Sequence, residues 1–338
     1  MNTKDDNPLK EDIKKRSSKL DYSELKKRYD NSLKVIGELE QQKADILQIK
    51  EQVSTFEIKG EKGIKSEATA FILLGDIHAD EIVKKEMVSG LNEYNIKIAE
   101  KRVNYFFVNA VKLIKMAQKD TEIKELVLVI GGDLISSNIH EELLENTSLR
   151  PIEAIIVVQK WLVAGIKYLL SNFDGNITIP MTTSNHTRIT KKVHISNEIG
   201  NDLGYFVYSN IANIFANEKR IKCILPEGYH IQIKVYGKTI VIHHGHFVKY
   251  QGGVGGPTIS INKAIAQWNK IFKADLYIQF HLHQCFDGGN FIINGSVIGF
   301  NPYAMSIKAS YEDPKQMFFL WDKRFGKTIV CPIWLKEV

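Results

Sequence analysis

The sequence predicts an α/β fold, and two observations carry the prediction. From Ala68 onward, short apolar runs typical of buried strands alternate with longer segments whose apolar residues recur three and four positions apart. Most of these runs end in glycine, aspartate or histidine, where a strand would lead into a loop. Hairpin-like segments late in the chain favour a mixed sheet or two packed sheets over a purely parallel sheet.

The first half of this domain supplies three predicted strands and two predicted helices. AFILLGD at residues 70–76 and ELVLVIGGD at residues 125–133 are apolar runs of strand length that end in Gly-Asp. Residues 81–119 have helical spacing and are predicted as a helix. A second helix is predicted over residues 151–170, because a proline suits its first position. NITIPMTTSNH at residues 176–186 predicts the third strand and its loop.

The second half predicts two hairpins, a strand and a helix. Residues 231–246 suggest a hairpin that turns at Gly237 and ends in histidines. Residues 259–272 have the pattern of a helix, and residues 274–283 form a strand that also ends in histidines. The segment at residues 318–335 is predicted as a closing hairpin.

Composition excludes several classes of protein. The 338 residues are 44% hydrophobic and 25% charged, which fits a globular protein with a sizeable core and excludes a disordered or collagen-like chain. The uncharged apolar runs are too short for a membrane helix, and the first residues lack the apolar region of a secretory signal. The three scattered cysteines suggest neither a disulfide framework nor a zinc site. We therefore expect a cytoplasmic protein without membrane contact.

Residues 1–60 are predicted to form an N-terminal helical extension. Apolar residues recur at helical spacing from Tyr29 to Val53, which predicts a long amphipathic helix. Some of them fit the a and d positions of a heptad, but Lys43 and Lys50 fall on a positions. A coiled coil that supports a homo-oligomer or docks a partner through residues 20–55 is one interpretation. A helix that lies on its own domain is the other, and the pattern leaves both open.

The positive charge belongs to the globular part of the chain. Residues 1–60 carry 13 Lys and Arg against 12 Asp and Glu, so the remainder carries an excess of five of the total of six. A linker is predicted at residues 58–69, and residues 68–338 are predicted as one globular domain. The mild excess permits a polyanionic partner without requiring one.

Polar side chains of metal-binding type follow five successive apolar runs. Seven of the ten histidines lie in these five places. Because the carboxyl ends of strands in open α/β sheets are where sites assemble, we expect these side chains to converge. Each motif alone is weak, but the ordered set of five is not. Aspartate, asparagine and histidine suit Mn, Fe, Zn or similar ions, and the set is too large for one tetrahedral site. The pattern therefore predicts a two-metal centre, in which a carboxylate would bridge.

The ordered motifs resemble those of the calcineurin-like metallophosphoesterase superfamily. They are Gly75-Asp76-Ile77-His78, Gly132-Asp133, Asn185-His186, His244-Gly245-His246 and His281-Leu282-His283. The resemblance spans roughly residues 68–290. It implies a four-layer sandwich of two mixed β-sheets flanked by helices. The Asn-His-x-Arg variant, with Arg188, resembles a phage-type branch, for which a host cytoplasm would be the location.

The resemblance also implies a role for each matched residue. The first metal would be held by Asp76, His78 and His283, and the second by Asn185, His244 and His281. Asp133 would bridge the two ions. His186 would stabilise the phosphoryl charge and protonate the leaving oxygen. The ions would be Mn²⁺ first, with Fe²⁺, Zn²⁺, Mg²⁺ or Ni²⁺ as alternatives.

Three positions depart from the family pattern. Ser184 and Phe280 stand where the family has glycine, and Thr187 stands where it has an acidic residue. None of these changes removes a ligand, but Thr187 removes an acidic neighbour of His186. His246 is expected to have a supporting role, and His243 should face away from His244 because neighbouring side chains alternate along a strand.

Basic residues and a glycine-rich segment near these motifs add weaker expectations. Arg188, Lys191 and Lys249 are candidate contacts for a substrate phosphate, although a solvated basic loop explains them equally well. The segment QGGVGGPTIS, residues 251–260, is expected to be a flap or a simple loop, since it lacks the ending of a Walker loop.

The resemblance implies a hydrolase that attacks phosphorus with a metal-bridging hydroxide. A phosphodiesterase or nuclease acting on DNA is the leading function, with distant similarity to the nuclease subunits of double-strand-break repair. A phosphomonoesterase or small-nucleotide phosphodiesterase is the alternative. A scaffold without catalysis is the third, and the presence of both His78 and His186 speaks against it.

Overall fold

The N-terminal unit is described as one long helix. The computed structural model describes residues 8–54, 65–137, 139, 141–250 and 256–336, and it divides at residues 64 and 65 into two units. Helix α1 (Pro8–Ser54) is 47 residues long and begins well before the apolar pattern at Tyr29. All of its described side chains are exposed, including Tyr22 and Leu25 at about 70%. The partner contact expected through this helix stays a prediction.

The described residues of the second unit form two β-sheets and six further helices. The helices are α2 (Ile96–Ala117), α3 (Glu141–Glu145), α4 (Pro151–Asn172), α5 (Leu203–Ile214), α6 (Thr258–Trp268) and α7 (Pro302–Ser306). The strands are β1 (Ser66–Leu74), β2 (Thr121–Ile130), β3 (Asn176–Pro180), β4 (Ile221–Ile224), β5 (Ile231–Val235), β6 (Lys238–His243), β7 (Leu276–Gln279), β8 (Phe286–Asp287), β9 (Phe291–Ile293), β10 (Lys315–Asp322) and β11 (Gly326–Trp334).

Both sheets are mixed, as predicted. The first has the order β11-β10-β1-β2-β3-β4, with β1 to β4 parallel, β10 antiparallel to β1, and β11 antiparallel to β10 in the closing hairpin. The second has the order β5-β6-β7-β9-β8, with β6, β7 and β9 parallel and a strand antiparallel to them at each edge. At the β5-β6 turn, Tyr236 and Gly237 both have positive φ, of 49° and 77°, which places the hairpin turn where the sequence predicts it.

The core lies in three layers between and around the sheets. Alternate residues of β1 face opposite sides, so Phe71 packs on Phe319 between the sheets, while Ile72 packs under the helices. The outer face of the second sheet is covered by α6 through Ile261 and Ile265. The order helices, sheet, sheet, helix confirms the predicted four-layer α/β sandwich.

Two predicted boundaries are wrong. The helix expected over residues 81–119 begins only at Ile96, because the side chain of Asn95 caps it by accepting the N–H groups of Lys97 and Ile98. Before it lies only a short 3-10 turn, Lys85–Val88. Strand β1 begins at Ser66, inside the predicted linker, of which residues 58–64 lie outside the described residues.

Helix α4 alone among the described helices is long and apolar enough to cross a membrane. One of its faces is buried in the core beside α2, through residues such as Leu162 and Ile166. Gly165 lies so close to Phe107 that a Cβ there would come within 2.0 Å of the aromatic ring. The helix therefore serves as a packed core element in this fold.

Candidate metal centre

The predicted ligands converge at one end of the sandwich, on the loops that follow β1, β2, β3, β6 and β7. Backbone hydrogen bonds tie the first two loops together, since the N–H of Asp76 donates to the carbonyl of Gly132 and that of His78 donates to the carbonyl of Asp133. The loops after β6 and β7 are tied in the same way, through the N–H of Phe280 and the carbonyl of His244. The carboxyl ends of parallel strands from both sheets thus lie close together at the site.

The first group of ligand atoms belongs to Asp76, His78 and His283. One ligand atom from each lies within 4.8 Å of the others. Asp76 and His78 are buried, and the His283 Nε2 lies 3.7 Å from the Asp76 Oδ1. The carboxylate of Asp76 also accepts the backbone N–H of His281, which orients it toward the loop after β7.

The second group belongs to Asp133, His244 and His281, whose ligand atoms lie within the same 4.8 Å limit. The His244 Nε2 lies 3.0 Å from the Asp133 Oδ2 and 3.1 Å from the Asn185 Oδ1. The amide of Asn185 therefore points into this second group, where the sequence places it.

Asp133 lies between the two groups. Its Oδ2 is 3.0 Å from the Nε2 of His244 in one group and 3.7 Å from the Nε2 of His78 in the other. Its backbone N–H donates to the Ser184 Oγ at 2.9 Å, which fixes the loop. One carboxylate oxygen of Asp133 thus lies near a ligand-type nitrogen of each group.

The backbone at these ligands is in the left-handed region. The φ angles are 49° at Asp76, 48° at His78, 44° at Asp133, 75° at His281 and 55° at His283. Non-glycine residues rarely adopt this conformation, and it concentrates at functional sites. The backbone is therefore locally strained at the residues whose side chains converge.

The hydrogen bonds of two histidines select the ring tautomer that a metal requires. The His244 Nδ1 donates to the carbonyl oxygen of Gly131 at 2.7 Å. The His78 Nδ1 lies 2.8 Å from the Ser136 Oγ, whose proton goes to the Glu81 carboxylate at 2.6 Å. Both rings therefore carry the proton on Nδ1 and present Nε2 to the site.

The Nε2 of His78 is a buried polar atom that a metal ion could satisfy. It is buried and has no hydrogen-bond partner among the described residues, and the same is true of the His283 Nδ1. A buried polar atom without a partner is costly. A divalent ion that accepts the lone pairs of these nitrogens would remove that cost. The donor set therefore fits the two metal ions that the pattern predicts.

The charges of the site point the same way. Burial raises the pKa of Asp76 to about 8, and the charge of Asp133 adds to the effect. Burial also opposes ionisation of Asp133, but His244 and His186 outweigh it and hold its pKa well below the usual value. The negative charge of Asp133 overcomes burial at His244 and raises its pKa to about 9. Bound cations would replace protons as the counter-charge of these carboxylates.

His186 lies beside both groups and lines the cleft above them. Its ring is 4.9 Å from that of His78, and its Nδ1 donates to the carbonyl oxygen of Ser136 at 3.0 Å. The Nδ1 proton of His186 is therefore held by a backbone carbonyl on the loop after β2. The ring is positioned by the loop after β2, which also carries Asp133.

An acidic residue near His186 is supplied from elsewhere in the chain. The Thr187 hydroxyl donates to the Asp202 Oδ2 at 2.8 Å and lies 2.8 Å from the Ser184 Oγ. The Ser184 Oγ in turn accepts the N–H of Asp133. Thr187 thus joins Asp202 to the loop of the candidate bridging ligand, which no sequence pattern indicates.

The structure shows how Phe280 fits at a position where the family that the motifs resemble has glycine. Its ring is fully buried beneath the site, against Gly75 and Gly131. A Cβ at these glycines would come within 2.5 Å and 2.2 Å of the ring. The bulky residue is accommodated because the facing loops lack side chains at these two positions.

The structure does not bring the three candidate phosphate-binding cations to the cleft. The buried guanidinium of Arg188 donates to the carbonyl oxygens of Asn185, Thr190 and Lys191, and so it stabilises its own loop. Lys191 and Lys249 are exposed, and neither lines the described cleft. The phosphate contacts expected of these three residues stay predictions. Residues 251–255 of the expected flap lie outside the described residues.

The two other histidines at the end of the β5-β6 hairpin face elsewhere. His243 points away from His244, as expected, and packs against Trp268 at a ring distance of 5.0 Å. The His246 Nε2 lies 3.2 Å from the Glu198 Oε1, and its ring is 5.5 Å from that of His244. His246 is therefore placed to support the ligand histidine.

A cleft of about 400 Å³ opens above the two groups. Ligand side chains and His186 form its floor, and residues from the segment after β1 and from α7 form one wall. The sequence patterns did not predict this wall or the supporting residues Glu81 and Ser136. Glu81 lies three residues after His78, close enough that its acidic character could have indicated a role.

Comparison with known proteins gives structural likeness only. No family model and no curated protein matches this sequence. Among solved structures, a hypothetical protein from Pyrococcus horikoshii, PH1004, has 13% identity and a TM-score of 0.39, with 80% of this chain and 89% of that chain covered. A dimetal phosphatase from Danio rerio has 11% identity and a TM-score of 0.34, with 79% and 99% covered. Vps29 from Chaetomium thermophilum has 11% identity and a TM-score of 0.29, with 78% and 97% covered. A likeness at this level does not show what this chain does.

Proposed function

We propose that this protein is a phosphoesterase that requires two divalent metal ions. The observation that carries the proposal is the meeting of two groups of ligand atoms at Asp133, with His186 beside them. When bound, two such ions would activate a water molecule and neutralise charge on a phosphoryl group. Asp76, His78 and His283 would hold the first ion. Asn185, His244 and His281 would hold the second, and Asp133 would contact both.

The chain's own contribution to the chemistry centres on His186. Its Nδ1 proton is held by the carbonyl of Ser136, so Nε2 would deliver a proton to the leaving oxygen. The backbone N–H of the same residue is held by Asp133. Asp133 therefore contacts both the proposed acid and the proposed ligands, and this would hold His186 beside the bound phosphate.

The leading substrate is a nucleic acid phosphodiester, DNA first. The globular part carries an excess of five positive charges, and an open cleft of about 400 Å³ leaves room for groups on both sides of a phosphate. Mn²⁺ is the leading metal because mixed carboxylate, amide and imidazole ligands suit it, with Fe²⁺, Zn²⁺, Mg²⁺ and Ni²⁺ as alternatives. Hydrolysis of a monoester is the second candidate, since the same ligand groups would serve it.

A substrate panel with added Mn²⁺ tests the proposal. It contains bis-p-nitrophenyl phosphate, p-nitrophenyl phosphate, and single- and double-stranded DNA at two salt concentrations. We expect the diester and DNA to be hydrolysed, and the DNA more slowly at high salt. The His186→Ala variant should hydrolyse both more slowly than the wild type, with the larger loss on DNA. Hydrolysis of the monoester alone would favour the second candidate. A protein that binds no divalent metal would overturn the proposal and favour a scaffold.

A further inference from the structure

One wall of the cleft carries a group of apolar side chains, beside polar groups such as Asn146 and Ser306. It is formed by the segment after β1, by α3 and by α7, through Ile82, Met87, Leu143, Pro302 and Tyr303. Inorganic phosphate or a compact phosphomonoester has no apolar group to place on such a surface. The composition of the wall therefore indicates that the substrate carries a flat or apolar group next to the phosphate.

Tyr303 is the one aromatic side chain of this wall among the described residues. Its side chain is 39% exposed, and its ring centroid is 5.8 Å from that of His283, a candidate metal ligand. The ring thus contacts a candidate metal ligand while part of its surface remains open to the cleft. Nucleobases bind to exposed aromatic rings in this way, and every base offers a π-face for it.

The position of Tyr303 is fixed relative to the ligands by hydrogen bonds. Asn301 caps α7, because its Oδ1 accepts the N–H of Ala304 at 3.0 Å. Its Nδ2 donates to the Glu81 Oε1 at 3.0 Å. Glu81 accepts from Ser136, which in turn contacts His78. A continuous set of buried contacts thus joins the short helix of Tyr303 to a candidate metal ligand, and a rigid support of this kind suits a recognition site.

We propose that this wall binds the nucleobase adjacent to the scissile phosphate, and that Tyr303 determines the preference for nucleotide diesters over other phosphate esters. The inference rests on the proposed function and narrows its substrate class. Because stacking involves the π-face and not the base edges, the preference would show little dependence on sequence. It would act on any substrate with a base at that position, in a single strand or at a frayed end.

The test compares dinucleotides that differ only in one base. The thymidine dinucleotide and its two forms with one abasic residue contain the same phosphodiester bond. We expect wild-type protein with Mn²⁺ to lose about tenfold in kcat/KM when one particular base is missing. Tyr303→Ala should lose about tenfold on the intact dinucleotide and show no further loss on that abasic form. Tyr303→Phe should retain the preference because it retains the ring.

Two controls separate this inference from the proposed function. Bis-p-nitrophenyl phosphate reports the phosphoesterase itself, and Tyr168→Ala removes a tyrosine of similar exposure, 37%, on α4. Hydrolysis of bis-p-nitrophenyl phosphate with no effect of either missing base, or with no cleavage of any dinucleotide, would overturn the inference and leave the phosphoesterase standing. No hydrolysis of any of these diesters by metal-loaded protein would overturn both.

Discussion

The backbone N–H of His186 donates a hydrogen bond of 3.0 Å to the Oδ1 of Asp133. The other oxygen of the same carboxylate faces the ligand nitrogens of His244 and His78. One side chain therefore orients the candidate acid and joins the two ligand groups. We therefore expect replacement of Asp133 to affect both the position of His186 and the binding of metal ions.

Asp133→Asn should abolish tight binding of both metal ions. The amide can still accept the N–H of His186, but it lacks the charge that compensates two cations. We expect less than one metal ion per chain by elemental analysis, against two in the wild type, and hydrolysis reduced at least about 100-fold. Asp174→Asn, an exposed carboxylate on the loop after α4, is the control. Two bound ions in the Asp133 variant would contradict its role between the groups.

His186→Ala should separate catalysis from metal binding. If His186 protonates the leaving oxygen, its removal lowers turnover by roughly 10²–10⁴-fold and leaves the metal content near two. The loss should be smaller for a substrate with a good leaving group, such as bis-p-nitrophenyl phosphate, than for DNA. His194→Ala, in the exposed part of the same loop, is the matched control. Loss of metal from the His186 variant would show that it is a ligand instead.

The ligand set was accessible from sequence because each member directly follows an apolar strand. Parallel strands end at one edge of a sheet, so Asp76, Asp133 and Asn185 had to approach one another once three strands were recognised. The four-layer fold followed from the family that the ordered motifs resemble. Local patterns sufficed wherever a strand end fixed the position of a side chain.

Side chains that meet only through tertiary packing were not accessible in this way. Tyr303 reaches the cleft through a five-residue helix near the end of the chain, and Asp202 reaches Thr187 from the segment before α5. The hydrogen bonds of Arg188 to three local carbonyls also depend on the loop conformation, and its contact with a substrate phosphate stays a prediction. No spacing rule specifies such contacts.

Glu81→Gln should weaken metal binding without removing a ligand. The Glu81 carboxylate accepts the Ser136 proton and so keeps the Nδ1 of His78 protonated and its ring oriented. Loss of such outer contacts typically lowers metal affinity about 10- to 100-fold. We expect a shift of that size in a Mn²⁺ titration. Glu86→Gln, an exposed glutamate in the neighbouring 3-10 turn, should leave the titration unchanged. Equal affinities for the two variants would refute the orienting role.

Helix α1 should associate through its apolar stripe. An isolated helix gains little stability of its own in water, and side chains such as Ile36 and Leu39 are at least half exposed. The full chain should therefore have the mass of an oligomer by light scattering, and the double variant Ile36→Lys, Leu39→Lys that of a monomer with unchanged hydrolysis. Lys34→Gln with Glu38→Gln, on the other side of the helix, is the control. A monomeric wild type would favour a helix that lies on its own domain.

The buried carboxyl group of Asp202 is expected to make the free energy of unfolding depend on pH. Burial raises the pKa of this carboxyl from 3.8 to about 6, although it accepts hydrogen bonds from Thr187 and from the backbone N–H groups of Tyr205 and Ser184. The charge of Glu198 raises it further. The folded protein therefore holds this proton at pH values where the unfolded chain has released it. Its contribution to stability is fully present below about pH 4 and is lost as the pH rises through about 6.

Asp202→Asn should flatten the pH dependence of unfolding between pH 4 and 6. The shift corresponds to about 3 kcal/mol, at about 1.4 kcal/mol per pKa unit, and the asparagine cannot contribute it because it does not titrate. The variant should be less stable at pH 4.5, since an amide cannot accept all three hydrogen bonds. The measurement is urea unfolding in the presence of chelator at pH 4.5, 5.5 and 6.5, with Asp174→Asn as the control. Parallel pH profiles for wild type and Asp202→Asn would show that the proton is held elsewhere.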